Sequence, residues 1–114
     1  MLSLELAKKL KDSGLRPEAG NVSFFWIAEV DEIMWVDPIY EPEDDDVWIP
    51  RLDQLLNEIE KRYTGSIHIW NPRDDRGKWA ISLGGRFKVF FADTLEDAAG
   101  KALLWLLERE SVQS

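Results

Sequence analysis

The chain contains no cysteine. That removes disulfides, thiolate nucleophiles and thiolate zinc sites, and it makes a reducing cytoplasm the expected setting. Histidine is nearly absent too. The single one, His68, lies between Ile67 and Ile69 in a short apolar run, and no nucleophile or carboxylate stands at a spacing that would pair with it for acid–base work. It is expected to be structural or simply exposed, and neither an enzyme nor a cofactor is expected. No stretch is long and apolar enough for a membrane span, and the start, Met1-Leu2-Ser3-Leu4-Glu5-Leu6-Ala7-Lys8-Lys9, is an amphipathic helix rather than a leader. Gly84-Gly85 is not a phosphate loop, because it joins two strands with no helix after it.

Positive charge is missing from one long stretch. Residues 17–50 carry ten acids (Glu18, Glu29, Asp31, Glu32, Asp37, Glu41, Glu43, Asp44, Asp45 and Asp46) and no Lys or Arg. The formal net charge of −8 therefore resides there, since the remaining residues hold 12 acids against 14 bases. Residues 61–88 lean the other way, with seven bases and two acids, so the protein is electrically two-sided along its sequence.

What is present is apolar and aromatic: 45% hydrophobic residues and six tryptophans in 114 residues, enough for one folded domain spanning 1–114. A first helix is expected from about Ser3 to Ser13, buried through Leu6, Ala7 and Leu10, ended by Gly14 in a left-handed conformation, with Leu15 folding back onto Leu10. Val22 to Val30 reads as a strand with Phe24, Trp26 and Ala28 inward, and Ile33-Met34-Trp35-Val36 as its hairpin partner. Asp37 to Val47 is expected to be a solvated acidic loop, its four acids Glu43, Asp44, Asp45 and Asp46 repelling one another. It lacks the alternating ligands and turn glycine of a calcium loop, and no metal is expected there.

The next helix has one continuous stripe of Leu52, Leu55, Leu56, Ile59 and Tyr63. Three short strands follow: Ser66–Trp70, then Lys78–Leu83 with Trp79, Ile81 and Leu83 inward, then Arg86–Phe91 with Phe87, Val89 and Phe91 inward, the last two joined by a tight Gly84-Gly85 turn. Asp93 with Glu96, or Thr94 with Asp97, caps a final apolar helix through Ala98-Ala99-Gly100 to Leu103-Leu104-Trp105-Leu106-Leu107. The order is α-β-β-α-β-β-β-α. The expected fold is α+β, a two-layer sandwich of a mainly antiparallel sheet with helices on one face.

Three resemblances attach to these residues. The α-β-β-β-α order from Pro50 onward is that of double-stranded-RNA-binding domains, whose last helix begins with a phosphate-clamping lysine cluster. Here Asp93, Glu96 and Asp97 occupy that position, so nucleic acid is not an expected partner. The run Phe91-Ala92-Asp93-Thr94-Leu95-Glu96-Asp97-Ala98 resembles the helix start of HicB-type antitoxins. Most broadly, Leu4–Lys11 with Gly14-Leu15, Trp48–Leu56, and Asp93-Thr94 with Ala102–Leu107 resemble a group of small phage and prophage proteins of Gram-positive bacteria with no assigned activity. That resemblance implies a cytoplasmic accessory protein of mobile-element origin.

The leading functional expectation is a non-enzymatic interaction protein that binds an unidentified protein partner, with a second copy of itself as one candidate. A final helix apolar on most sides is either enclosed in the core or turned toward a partner, so Leu104, Trp105 and Leu107 are candidate contacts. The alternative is an acidic mimic or antitoxin-like inhibitor acting through Glu43, Asp44, Asp45 and Asp46 on a nucleic-acid-binding partner.

Overall fold

The structure, a computed structural model, describes residues 1–17, 23–37, 41–72, 78–84 and 88–113. Its elements in order are α1 (Leu4–Asp12), β1 (Ser23–Ile27), β2 (Glu32–Val36), β3 (Val47–Ile49), α2 (Leu52–Arg62), β4 (Ile67–Trp70), β5 (Trp79–Leu83), β6 (Lys88–Ala92) and α3 (Leu95–Gln113). The class is α+β, and every strand pairing is antiparallel. The order differs from expectation by one strand. Val47-Trp48-Ile49, too short for its alternation to register, pairs with β1 through Phe24–Ile49, Phe25–Trp48 and Trp26–Val47. The strands form two sheets, β2-β1-β3 and β4-β5-β6.

Helix α1 follows its sequence closely. The Ser3 Oγ accepts from the Leu6 N–H, and Leu6, Ala7 and Leu10 are buried. Gly14 takes φ 104°, which lets the Leu15 N–H reach the Leu10 carbonyl at 3.0 Å and returns Leu15 to the core. In α2 the stripe is as expected, with Leu55 and Ile59 fully buried. The Gln54 side chain reaches back to accept from the Arg51 N–H at 2.9 Å. Glu58 is also buried, its carboxylate held by Arg62 at 2.6 Å and Lys61 at 3.2 Å.

Side-chain phase departs from expectation in both sheets. In β1 the buried residues are Ser23 and Phe25, while Phe24 and Trp26 are half-buried on the opposite face. Phe24–Ile27 is apolar without a break, so alternation cannot set its phase. Tertiary partners do: Trp48 lies opposite Phe25, and the Gln54 amide donates to the Ser23 Oγ. In the second sheet β5 is central, and Ala80 and Ser82 are as buried as Ile81 and Leu83, with Trp79 half-buried. The register pairs Ile81 with Phe90 and Ser82 with Val89, so Phe90 rather than Val89 or Phe91 shares the face of Ile81. Phe87 and Gly85 lie outside the described residues. The pairing of Leu83 with Lys88 leaves more than a two-residue turn after Gly84, which itself has φ 69°.

Helix α3 packs against α1, α2, β5 and β6. Of the two expected caps, Thr94 is the one used: its Oγ1 accepts from the Asp97 N–H at 3.1 Å. Asp97 is thereby free to accept from the Ser3 N–H at 2.7 Å, tying the start of α1 to the first turn of α3. Where the helices cross, a Cβ on Gly100 would stand 2.7 Å from both Leu2 Cδ1 and Leu6 Cδ2.

Two outcomes follow from this packing. Gly100→Ala fails to deliver the roughly 1 kcal/mol that alanine gains over glycine in a helix, and Gly100→Leu destabilises by about 3 kcal/mol through overpacking; urea unfolding of both variants measures this. At the start of α2, the Arg51 side chain, hydrogen-bonded to Asp53 at 3.2 Å, holds the Asp53 carboxyl below the usual aspartate range. The small stabilisation linked to it is present above the unfolded-state pKa and lost as pH falls through the folded one. Arg51→Gln moves the Asp53 titration, followed by NMR, upward.

Candidate interaction surface

The acidic loop is only partly solvated. Glu43, Asp44 and Asp45 are exposed, but Asp46 is 6% exposed. Its Oδ1 accepts from the Ala28 N–H at 3.2 Å and its Oδ2 from the Glu43 N–H at 3.0 Å. Lys11 of α1 donates to the carbonyls of Asp46, at 2.9 Å, and of Asp44. Asp46 is thus a strut that closes the loop over the β1–β2 turn and docks it on α1. Of the four acids expected to repel one another, this one turns inward onto backbone donors, and the other three stay in water.

Leu107 is 5% exposed and Leu103 and Leu106 are buried, so this part of the apolar circumference of α3 faces α1, α2 and the second sheet. Leu104 is half-buried against the core. Trp105, also half-buried, packs at 6.0 Å from Phe90 and lies beneath Arg109 at 4.6 Å and Lys88 at 5.9 Å. These two side chains sit within the protein's own contacts, and Leu107 offers no surface. His68 is exposed on β4 opposite Ser82. Among the described residues no cluster of three His, Asp or Glu side chains stands close enough to hold a metal ion, and no helix is long and apolar enough to cross a membrane.

Exposed apolar surface concentrates elsewhere. On β2, Ile33, Met34 and Trp35 are 40%, 46% and 53% exposed, and Val30 in the preceding turn is exposed as well. The pairing with β1 assigns them to two faces: Ile33 and Trp35 lie beside Trp26 and Phe24, and Met34 lies beside Phe25. Trp35 meets Phe24 edge to face at 4.5 Å. Cations of the chain already sit on this aromatic face, Lys8 at 4.4 Å from the Trp26 ring and Arg51 at 5.5 Å from the Trp35 ring. The turn is braced by Asp31, which has φ 53° and accepts from the Trp26 indole N–H at 2.9 Å. Among the described residues β2 ends its sheet.

This surface was not singled out from sequence, where Ile33–Val36 served only as a hairpin partner. The signal was there in one respect. A strand whose only polar residue is Glu32 at its start, placed just before Pro38 and Pro42, is unusual as a solvated edge, because natural edges are normally guarded by charge along their length. A second, smaller exposed pair, Ile69 and Trp70, lies on β4, an end strand of the other sheet.

No protein-family model, curated protein or solved structure matches the chain significantly.

Asp46→Ala strands the Ala28 and Glu43 N–H groups and costs about 2–4 kcal/mol, whereas alanine at Glu43, Asp44 or Asp45 stays within about 0.5 kcal/mol of the parent. Chemical denaturation of the four variants separates the strut from the surface acids.

Proposed function

We propose that this chain is a non-enzymatic accessory protein that binds another polypeptide, and that it does so along β2. One observation carries the reading: Ile33, Met34 and Trp35 are exposed side by side on a strand that ends its sheet among the described residues. Backbone donors and acceptors along a sheet edge recruit a further strand by hydrogen bonding, and apolar side chains on both faces give that strand something to bury.

The sequence resemblance to small phage and prophage proteins accords with this role, as does a cytoplasmic setting. We read the second half of the chain as helices lying on one face of the β4-β5-β6 sheet, a layer that leaves the first sheet available for contact. Of the candidate contacts, exposed Glu43, Asp44 and Asp45 add a charged flank, and Leu104 with Trp105 is a secondary surface. The acidic-mimic reading draws its support from the same base-free stretch, 17–50, in which β2 lies.

Replacing Trp35 with the photo-crosslinking residue benzoylphenylalanine tests the assignment in the cells that naturally carry the protein. The expected result is a discrete polypeptide adduct, either with a second copy or with another protein, that is lost when Ile33 is also changed to Asp. The same probe in place of exposed Asp53 gives no such adduct. Equal capture from both positions, or none from Trp35, removes β2 as the binding surface.

A further inference from the structure

The charge around β2 identifies what the edge accepts. Glu29, Asp31, Glu32 and Asp37 bracket the strand at both ends, all exposed, and no Lys or Arg occurs between residues 17 and 50. A strand laid along the outer edge of β2 meets Ile33, Met34 and Trp35 at its centre and carboxylates at its ends. On the face of Trp35 and Trp26 the indole rings already carry the protein's own Lys8 and Arg51, so the room for an incoming cation lies at the carboxylates that flank the strand. Apolar side chains with carboxylates beside them favour a long, flexible cation whose methylene stem covers apolar surface while its head pairs with an acid.

A second copy of the chain is a poor fit for the same reason. An antiparallel pairing of two β2 strands centred on Met34 sets Asp31 against Asp37 at both ends, and an in-register parallel pairing sets Glu32 against Glu32. Like charges placed directly opposite destabilise a strand pair. In both of these registers the edge repels its own kind.

Resting on the reading of β2 as the binding edge, we propose that its occupant is a cationic extended segment of another protein, with Lys or Arg at alternate positions and aliphatic residues between them, added to the sheet as a further strand. Proteins that bind nucleic acid carry such segments, so an acidic edge strand of this kind masks a basic surface by pairing with it rather than by imitating a phosphate backbone.

The test uses the full chain and two synthetic peptides, Lys-Val-Arg-Ile-Lys-Val and Glu-Val-Glu-Ile-Glu-Val, with their ends capped. Isothermal titration gives affinity, amide NMR shifts locate the contact, and sedimentation gives the oligomeric state. The basic peptide is expected to bind saturably, to shift residues 32–36 most, and to weaken about tenfold when salt is raised from about 0.1 M to about 1 M, which shortens the screening length from about 10 Å to about 3 Å. The acidic peptide is expected not to bind. Glu29→Lys with Glu32→Lys weakens the basic peptide at least about tenfold through the lost charge attraction. Glu29→Gln with Glu32→Gln, which removes these two charges without reversing them, weakens it to a lesser degree and serves should the reversal disturb folding. Equal binding of the two peptides overturns the cationic occupant and leaves β2 as a binding edge. Failure of both peptides together with a concentration-dependent dimer that Met34→Lys dissolves assigns the edge to a second copy and also overturns the proposal. Failure of both with a monomer at all concentrations removes the binding edge itself.

Discussion

Helix α3 turns Lys101, Glu108 and Arg109 to water and buries most of its apolar residues. Ala98, Ala99, Ala102, Leu103, Leu106 and Leu107 are all buried, and a helix apolar on so many sides is stable only when it is enclosed. The rest of the fold reads as the means of enclosing it. The second sheet supplies one wall through β5 and β6, α2 a second, and α1 a third. The third wall depends on a single missing side chain, since only at Gly100 can Leu2 and Leu6 approach so near. The Asp97 carboxylate, accepting from the Ser3 N–H, fixes the height at which α1 crosses. A residue read first as half of a helix cap thus becomes a tie between the chain's two ends.

Enclosure of α3 has a consequence for the first sheet. Both α1 and the inner loop are committed on its β3 side, where α1 packs against the strand and Lys11 holds the loop carbonyls. All three residues of β3 are buried as a result. No such cover is left for β2 among the described residues, so burial falls from one end of the sheet to the other: complete in β3, mixed in β1, nearly absent in β2. The exposure of Ile33, Met34 and Trp35 is therefore a property of how the helices are distributed. It would not follow from their residue types, which are those of a buried strand.

That distinction explains what was legible in the sequence. The helices were, because a 3.6-residue stripe bounded by Ser3, Gly14 or Thr94 carries both an element and its ends in a few neighbouring residues. The hairpin β1–β2 and the meander β4–β5–β6 were legible as strands for the same local reason. Phase was not. Where every residue is apolar, as in Phe24–Ile27 and Val89–Ala92, alternation is silent, and Trp48 on the neighbouring strand or Trp105 on α3 decides. Strand β3 was hidden by its length, and the inward turn of Asp46 by its company, since three neighbouring acids made a solvated loop the natural reading. Its partners, the N–H groups of Ala28 and Glu43, become visible only when the loop closes.

The candidate surface belongs to the illegible part, yet its charge does not. A base-free stretch can be counted in the sequence, but whether its acids surround something depends on the fold. Folding sorts them into two groups with different fates. Asp46 is consumed as a strut, while Glu29, Asp31, Glu32 and Asp37 remain around an apolar strand. A sheet edge left apolar would be a hazard of indiscriminate pairing, above all with its own copies. Acids at both ends of β2 limit that hazard by the same repulsion that makes the edge selective, and they do so without covering the side chains that give a bound strand its contact area. On the proposed reading, one set of carboxylates both limits self-pairing of the edge and selects its partner, so neutralising them alters both together.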